Sequence, residues 1–170
     1  MRFRWVELNT TPGNDFMSLD GSHGMNILFL SQIVPYPPHG GVLQRGYNLI
    51  REIGKRNAVY LLAFVHPDVL GTPELLEESR KALSKHCRKI EYFELWPKKS
   101  KVHQTAGLLW GGMSGLPFSV LAHRSGAFEA TIAEVLRRET IDLVHYDTLA
   151  LAQFGHDTKG IPRVLTHHNI

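Results

Sequence analysis

One cysteine, Cys87, stands in 170 residues, which excludes a disulfide framework and a thiolate metal cluster and fits a buried structural thiol in a reducing compartment. Charge of one sign is also scarce. The 19 Lys and Arg against 16 Asp and Glu leave a formal net charge of +3, and no long run of basic residues occurs. The pI near 9.1 is therefore no nucleic-acid footprint, and no nucleic-acid partner is expected. No GxxxxGK[ST] loop and no GxGxxG turn is present, so a P-loop nucleotidase and a nicotinamide-dinucleotide enzyme both lose their phosphate-binding device.

Apolar runs of membrane-spanning length are missing too. Residues 1–24 lack the apolar centre of a secretory signal and are expected to be a disordered tail or a misread start ahead of Met25. The longest stretch without Asp, Glu, Lys or Arg, Gln104 to Ala122, is interrupted by Gly107, Gly111, Gly112, Gly115 and Pro117. A bilayer has no water to satisfy a broken helix, so this stretch reads as a short helix and a glycine-rich loop. Lys98, Lys99 and Lys101 ahead of Leu108, Leu109 and Trp110 would suit peripheral contact with an anionic membrane face. A solvated loop beside a half-buried helix is the simpler reading.

What is there is 43% hydrophobic and 21% charged, the composition of one ordinary globular core. From Met25 onward, short apolar runs alternate with segments of helical period, the pattern of βαβ units and a parallel sheet. Asn26–Ser31 is a continuous apolar run, expected where helices cover both faces of a strand, and so belongs mid-sheet. Leu43, Tyr47, Ile50 and Gly54 recur at helical spacing and predict a helix over Val42–Arg56. Ala58–Val65 predicts the second strand. Thr72-Pro73-Glu74 opens a helix reaching His86, and Arg88–Leu95 predicts strand three. Phe128, Ile132, Val135 and Leu136 share a helical face that ends on Arg137 and Arg138. Ile141–Tyr146 predicts strand four, Thr148–Phe154 a short helix, and Arg163–His167 strand five. The expected fold is α/β, a Rossmann-like parallel sheet with helices on both faces. The sequence stops at Ile170, just past a strand end where such a sheet normally feeds another helix, which predicts a second half.

Ligands of open parallel sheets bind beyond the carboxyl ends of the strands. The polar residues expected there are Gln32, Gly40 and Gly41 after strand one, His66 after strand two, Asp147 after strand four, and His167, His168 and Asn169 after strand five. Gly40-Gly41 leads into a helix whose N-terminal N–H groups suit a phosphate or a hydroxyl-rich ligand; it is also an ordinary turn pattern. Arg45, one turn on, would add positive charge, or is a plain surface arginine. Asp147 is a polar orienter or a cap for the helix after it. Tyr36 and Trp110 would stack on a sugar or a lipid head, or pack locally. His145 reads as structural.

The run Asn26–Ser31, the loop Pro35-Tyr36-Pro37-Pro38-His39-Gly40-Gly41, then Arg45, Tyr47-Asn48-Leu49 and Arg51, resemble the opening of family-four glycosyltransferases of the GT-B fold. Gly115-Leu116-Pro117, Ile141–His145 and the closing Thr166-His167-His168-Asn169 agree. The likeness runs over 25–170. It implies one Rossmann-like half of a GT-B fold, the acceptor-side domain, truncated before a C-terminal donor-binding domain. By position, Gly40, Gly41 and Arg45 would lie near the donor phosphates. His168 would be the catalytic histidine, with His167 the alternative if the register slips by one. Tyr36, His66, Asp147, His167 and Asn169 would be the acceptor-side candidates.

The resemblance further implies a hexosyltransferase, retaining in most of the family, that moves a sugar from a nucleotide-sugar donor to a glycan or lipid-linked acceptor in polysaccharide synthesis. No metal and no cofactor beyond the nucleotide-sugar co-substrate is expected. The location would be cytoplasmic, at the inner membrane face, and this fragment alone would be inactive. The reading of a different class is a non-catalytic α/β ligand-binding or regulatory domain. A phospho-receiver would need acids clustered after strand one, where Ser31-Gln32 stand.

Overall fold

The computed structural model describes residues 24–66, 68–95 and 118–166. Five strands form one sheet in the order β3-β2-β1-β4-β5, and every pairing is parallel. The strands are β1 Asn26–Ser31, β2 Ala58–Val65, β3 Lys89–Glu94, β4 Leu143–Tyr146 and β5 Arg163–Leu165. The helices are α1 Gly41–Ile53, α2 Pro73–Leu83, α3 Phe118–Ala122 and α4 Gly126–Arg138, with a 3-10 helix over Leu149–Gly155. The α/β fold expected from the sequence is the fold observed, with β1 in the middle of the sheet.

Alternation along the central strands divides the core in two. Leu28, Leu30, Tyr60, Leu62, Phe64 and Val144 face α4 and the 3-10 helix, where Phe128, Ile132, Val135, Leu151 and Phe154 close over them. Phe29, Val59, Leu61 and Ala63 face α1 and α2, packing on Ile50 and Leu83. Burying an aliphatic or aromatic side chain of this size stabilises by about 1.5–3 kcal/mol. That is why β1 and β2 carry apolar residues on both faces. Phe128 joins one face together: its ring lies 4.6 Å from Phe64, 4.9 Å from Phe93 and 4.9 Å from Phe154.

Helix starts follow their caps. The Thr72 hydroxyl accepts from the Leu75 N–H, and the Ser125 hydroxyl accepts from the Phe128 N–H. Several ends fall short of expectation: β3 runs Lys89–Glu94 rather than Arg88–Leu95, and β4 starts at Leu143 rather than Ile141. α1 stops at Ile53; Gly54 follows, so close to the turn after α2 that a Cβ there would meet the His86 carbonyl oxygen at 2.4 Å. α2 stops at Leu83, where 84–86 turn towards β3. β5 stops at Leu165, although Thr166 N–H still donates to the Tyr146 carbonyl at 2.8 Å. The segment after β4 is 3-10 rather than α-helical. Among the described residues no helix is long and apolar enough to cross a membrane.

Candidate functional site

The chain leaves β1 through α1 towards β2 on one side, and enters β4 from α4 on the other. Neighbouring crossovers thus diverge between β1 and β4, and it is beyond the carboxyl ends of strands at such a switch point that open parallel sheets take their ligands. Asp147 N–H donates to the Leu30 carbonyl at 3.0 Å, extending the β1–β4 ladder by one step and fixing Asp147 opposite the end of β1. There the Ser31 hydroxyl lies 3.1 Å from Asp147 Oδ2 and 2.8 Å from the Ile33 carbonyl. Ser31 is 1% exposed and Asp147 2%. A hydroxyl has one proton for these two acceptors. Burying a carboxylate is costly unless it is hydrogen-bonded, so the pair places a strong acceptor at the point where the sheet topology opens.

Gly40 and Gly41 lie at the start of α1 and are exposed. Gly40 has φ 80 and ψ 161, a backbone region open essentially to glycine alone. No side chain caps this helix end and its first turn has no acid, so its N-terminal N–H groups and partial positive charge face outward. Arg45 is exposed on the second turn. Together these favour an anion over a cation at this end.

The other candidates have defined places. Tyr36 packs its ring against Tyr47 at 6.3 Å and donates its hydroxyl to Glu78 Oε1 at 2.6 Å. That hydrogen bond to a carboxylate, with some burial, holds the phenol above its ordinary ionisation range. His66 is half-buried, and its carbonyl accepts from the Val69 and Leu70 N–H groups in the turn after β2. His145 is structural as expected: its ring stacks on Phe29 at 4.4 Å, and Nε2 lies 3.1 Å from the Thr166 hydroxyl. Cys87 is buried, which pushes its thiol up to about 12. His167, His168, Asn169, Trp110 and the 98–101 lysines lie outside the described residues.

Sequence reasoning missed His123. It is 6% exposed, with Nδ1 at 2.6 Å from the Ser119 carbonyl and Nε2 at 3.3 Å from the Gln32 carbonyl, and its ring meets Phe64 edge-on at 5.0 Å. A histidine just beyond a five-residue helix carries no pattern of its own. Only the fold brings it to the residue after β1. Among the described residues no group of three His, Cys, Asp or Glu is placed to hold a metal ion.

No family model and no curated protein matches the chain. Among solved structures it is similar to a universal stress protein, described as the crystal structure of that protein in complex with cAMP. The TM-score is 0.36 and the identity 9%, over 85% of this chain and 98% of that one. A likeness this slight carries no ligand from one protein to the other.

The comparisons correct the glycosyltransferase expectation. The solved structure found is a universal stress protein and not a glycosyltransferase, and no glycosyltransferase family model or curated protein matches. Membership of that family is withdrawn. So are the transferase activity, the nucleotide-sugar donor, the glycan or lipid-linked acceptor and the role in polysaccharide synthesis. The physical reason lies in the residues that suggested it. A buried apolar strand is what any parallel sheet covered on both faces needs, and a glycine turn into a helix is common in doubly wound sheets, so these residues do not single out one family.

Proposed function

We propose that this chain is a non-catalytic α/β ligand-binding domain that takes a small ligand beyond the carboxyl ends of β1 and β4. The observation that carries this reading is the buried Ser31–Asp147 pair, two polar side chains held almost free of solvent where the sheet topology opens. An apolar pair would pack there with no desolvation cost, so a buried hydroxyl–carboxylate pair at this place in the sheet supports recognition of a ligand hydroxyl or amine by Asp147. The uncapped start of α1, with Gly40, Gly41 and Arg45, supports an anionic group on the same ligand. No metal is needed for such recognition. A cytoplasmic location fits a chain whose one cysteine is buried and unpaired.

The test is a titration of the 15N-labelled chain with inorganic phosphate, a sugar phosphate and a nucleoside monophosphate, following backbone amide shifts. Saturable shifts are expected at Ser31, Gln32, Gly40, Gly41 and Asp147. Asp147→Asn should weaken binding at least tenfold, since hydrogen bonds to a charged group contribute about 1.5–3 kcal/mol. Shifts confined to another face, or equal affinity in Asp147→Asn, would overturn the assignment.

A further inference from the structure

α1 ends at Ile53 and α2 at Leu83, and the turns that follow them lead into β2 and β3, neighbours in the sheet. Both turns therefore lie at the amino ends of the strands, away from Ser31 and Asp147. They are pressed together: a Cβ on Gly54 would meet the His86 carbonyl oxygen at 2.4 Å, and the Tyr47 ring stands edge-on to that of His86 at 6.0 Å. Arg51, Lys55, Arg56, Lys85 and Arg88 flank this contact on the two segments, all exposed. Within residues 51–57 and 84–88 the one acid is Glu52, already paired with Arg51 at 3.1 Å and with Lys55 at 2.5 Å. Among the described residues no ion pair holds Arg56, Lys85 or Arg88. The positive excess of this surface is larger than the +3 of the whole chain.

A cation in the last turn of a helix offsets the partial negative charge of the helix end, an effect that fades within that turn. Arg51 has this use in α1. Lys55, Arg56, Lys85 and Arg88 lie past the helix ends, where gathered like charges repel and an anionic partner relieves them. The half-buried His86 registers their field: burial, then Arg51 and Lys85, hold its imidazole below its ordinary ionisation range. We propose that this surface docks an acidic segment of a partner protein. Exposed cations spread over two turns suit a chain of carboxylates, which meets several of them at once and is steered in by their summed field. Single-stranded bases would need aromatic rings to stack on, and a membrane would need apolar side chains to take in. The exposed large apolar residues among those described, Met25, Val42, Leu149, Val164 and Leu165, include no aromatic. Of these, Met25 is the one bonded to the turns, through its N–H to Asn57 Oδ1.

The test titrates the 15N-labelled chain with poly-L-glutamate at about 0.15 M salt. Saturable amide shifts are expected over 51–57 and 84–88, with Ser31, Gly40 and Asp147 unmoved, so this result stands or falls apart from the small-ligand site. Binding should weaken about tenfold between about 0.05 and about 0.3 M salt, as screening shortens the reach of exposed charges. It should weaken about tenfold in Arg56→Glu with Lys85→Glu, whose urea midpoint should equal the parent's. Arg124→Glu with Lys159→Glu changes the net charge equally at exposed positions elsewhere, and should weaken binding less than about twofold. Equal affinity in the two double variants would overturn the proposal, as would shifts confined to other residues. Tighter binding of phosphatidylserine vesicles or duplex DNA through the same amides would overturn the acidic protein partner in favour of a membrane or a nucleic acid. If Arg56→Glu with Lys85→Glu does not fold, the parent's amide map and salt response decide.

Discussion

The two ends of the sheet hold themselves together differently. At the amino end the polar contacts are exposed: Asn26 N–H donates to Asp142 Oδ2 at 2.8 Å, Asn26 Nδ2 to the Thr140 carbonyl at 2.7 Å, and Met25 N–H to Asn57 Oδ1 at 3.0 Å. At the carboxyl end the corresponding groups, Ser31, Asp147 and His123, are buried. Water competes with the first set and cannot compete with the second. The amino end thus fastens strands at small net gain, whereas the carboxyl end carries desolvated, hydrogen-bonded polar groups. That difference is what supports the ligand site proposed at the carboxyl end.

The largest expected effect tests what lies between the ends. Phe128→Ala should destabilise by about 3–5 kcal/mol, measured by urea unfolding, because its ring is shared by Phe64, Phe93 and Phe154. If it cost less than removal of a polar contact at either end, the core would not be the main support of the sheet and the comparison would fail. Next comes the direct contrast. Asp147→Ala should cost about 1–3 kcal/mol by leaving buried groups without their acceptor, whereas Asp142→Ala should cost under about 1 kcal/mol. Equal losses would erase the distinction between the ends.

The smallest effect near neutral pH, and a growing one above it, concerns tyrosine. Tyr60 donates to Glu139 Oε2 at 2.8 Å. Burial and that carboxylate raise it from 10.0 to about 12. Tyr92 is raised by burial to about 12, with its hydroxyl 3.0 Å from that of Ser79. Both phenols are held neutral in the fold. Their contribution to stability is complete below pH 10 and is lost as pH rises towards 12. Ultraviolet titration should show these two ionising only as the chain unfolds, and Tyr92→Phe should flatten part of the alkaline loss.

Much of the architecture was legible because burial on two faces writes itself into composition. β1 and β2 have the bounds expected from their apolar runs, and Thr72 caps α2 as its side-chain chemistry predicts. Ends set by contacts across the fold were not legible. The approach of Gly54 to the His86 carbonyl joins residues far apart in the chain, although a glycine is itself a local stop signal for α1. Of the site, Gly40 and Asp147 could be picked out from their place after strands. Ser31 passed as strand and His123 as nothing at all, because each gains its meaning from a partner far along the chain.

By itself, then, the sequence determined a parallel α/β sheet with β1 at its centre, since unbroken apolar strands between helical periods can be buried no other way. With one cysteine these residues can form no disulfide among themselves, and they contain neither a GxxxxGK[ST] loop nor a GxGxxG turn. Which polar residues meet was decided by tertiary structure alone. The order β3-β2-β1-β4-β5 sets the end of β4 beside the end of β1, so that Asp147 reaches Ser31 and His123 reaches Gln32. Those contacts join residues too distant in sequence for local pattern to encode, and only the closing of the sheet creates them.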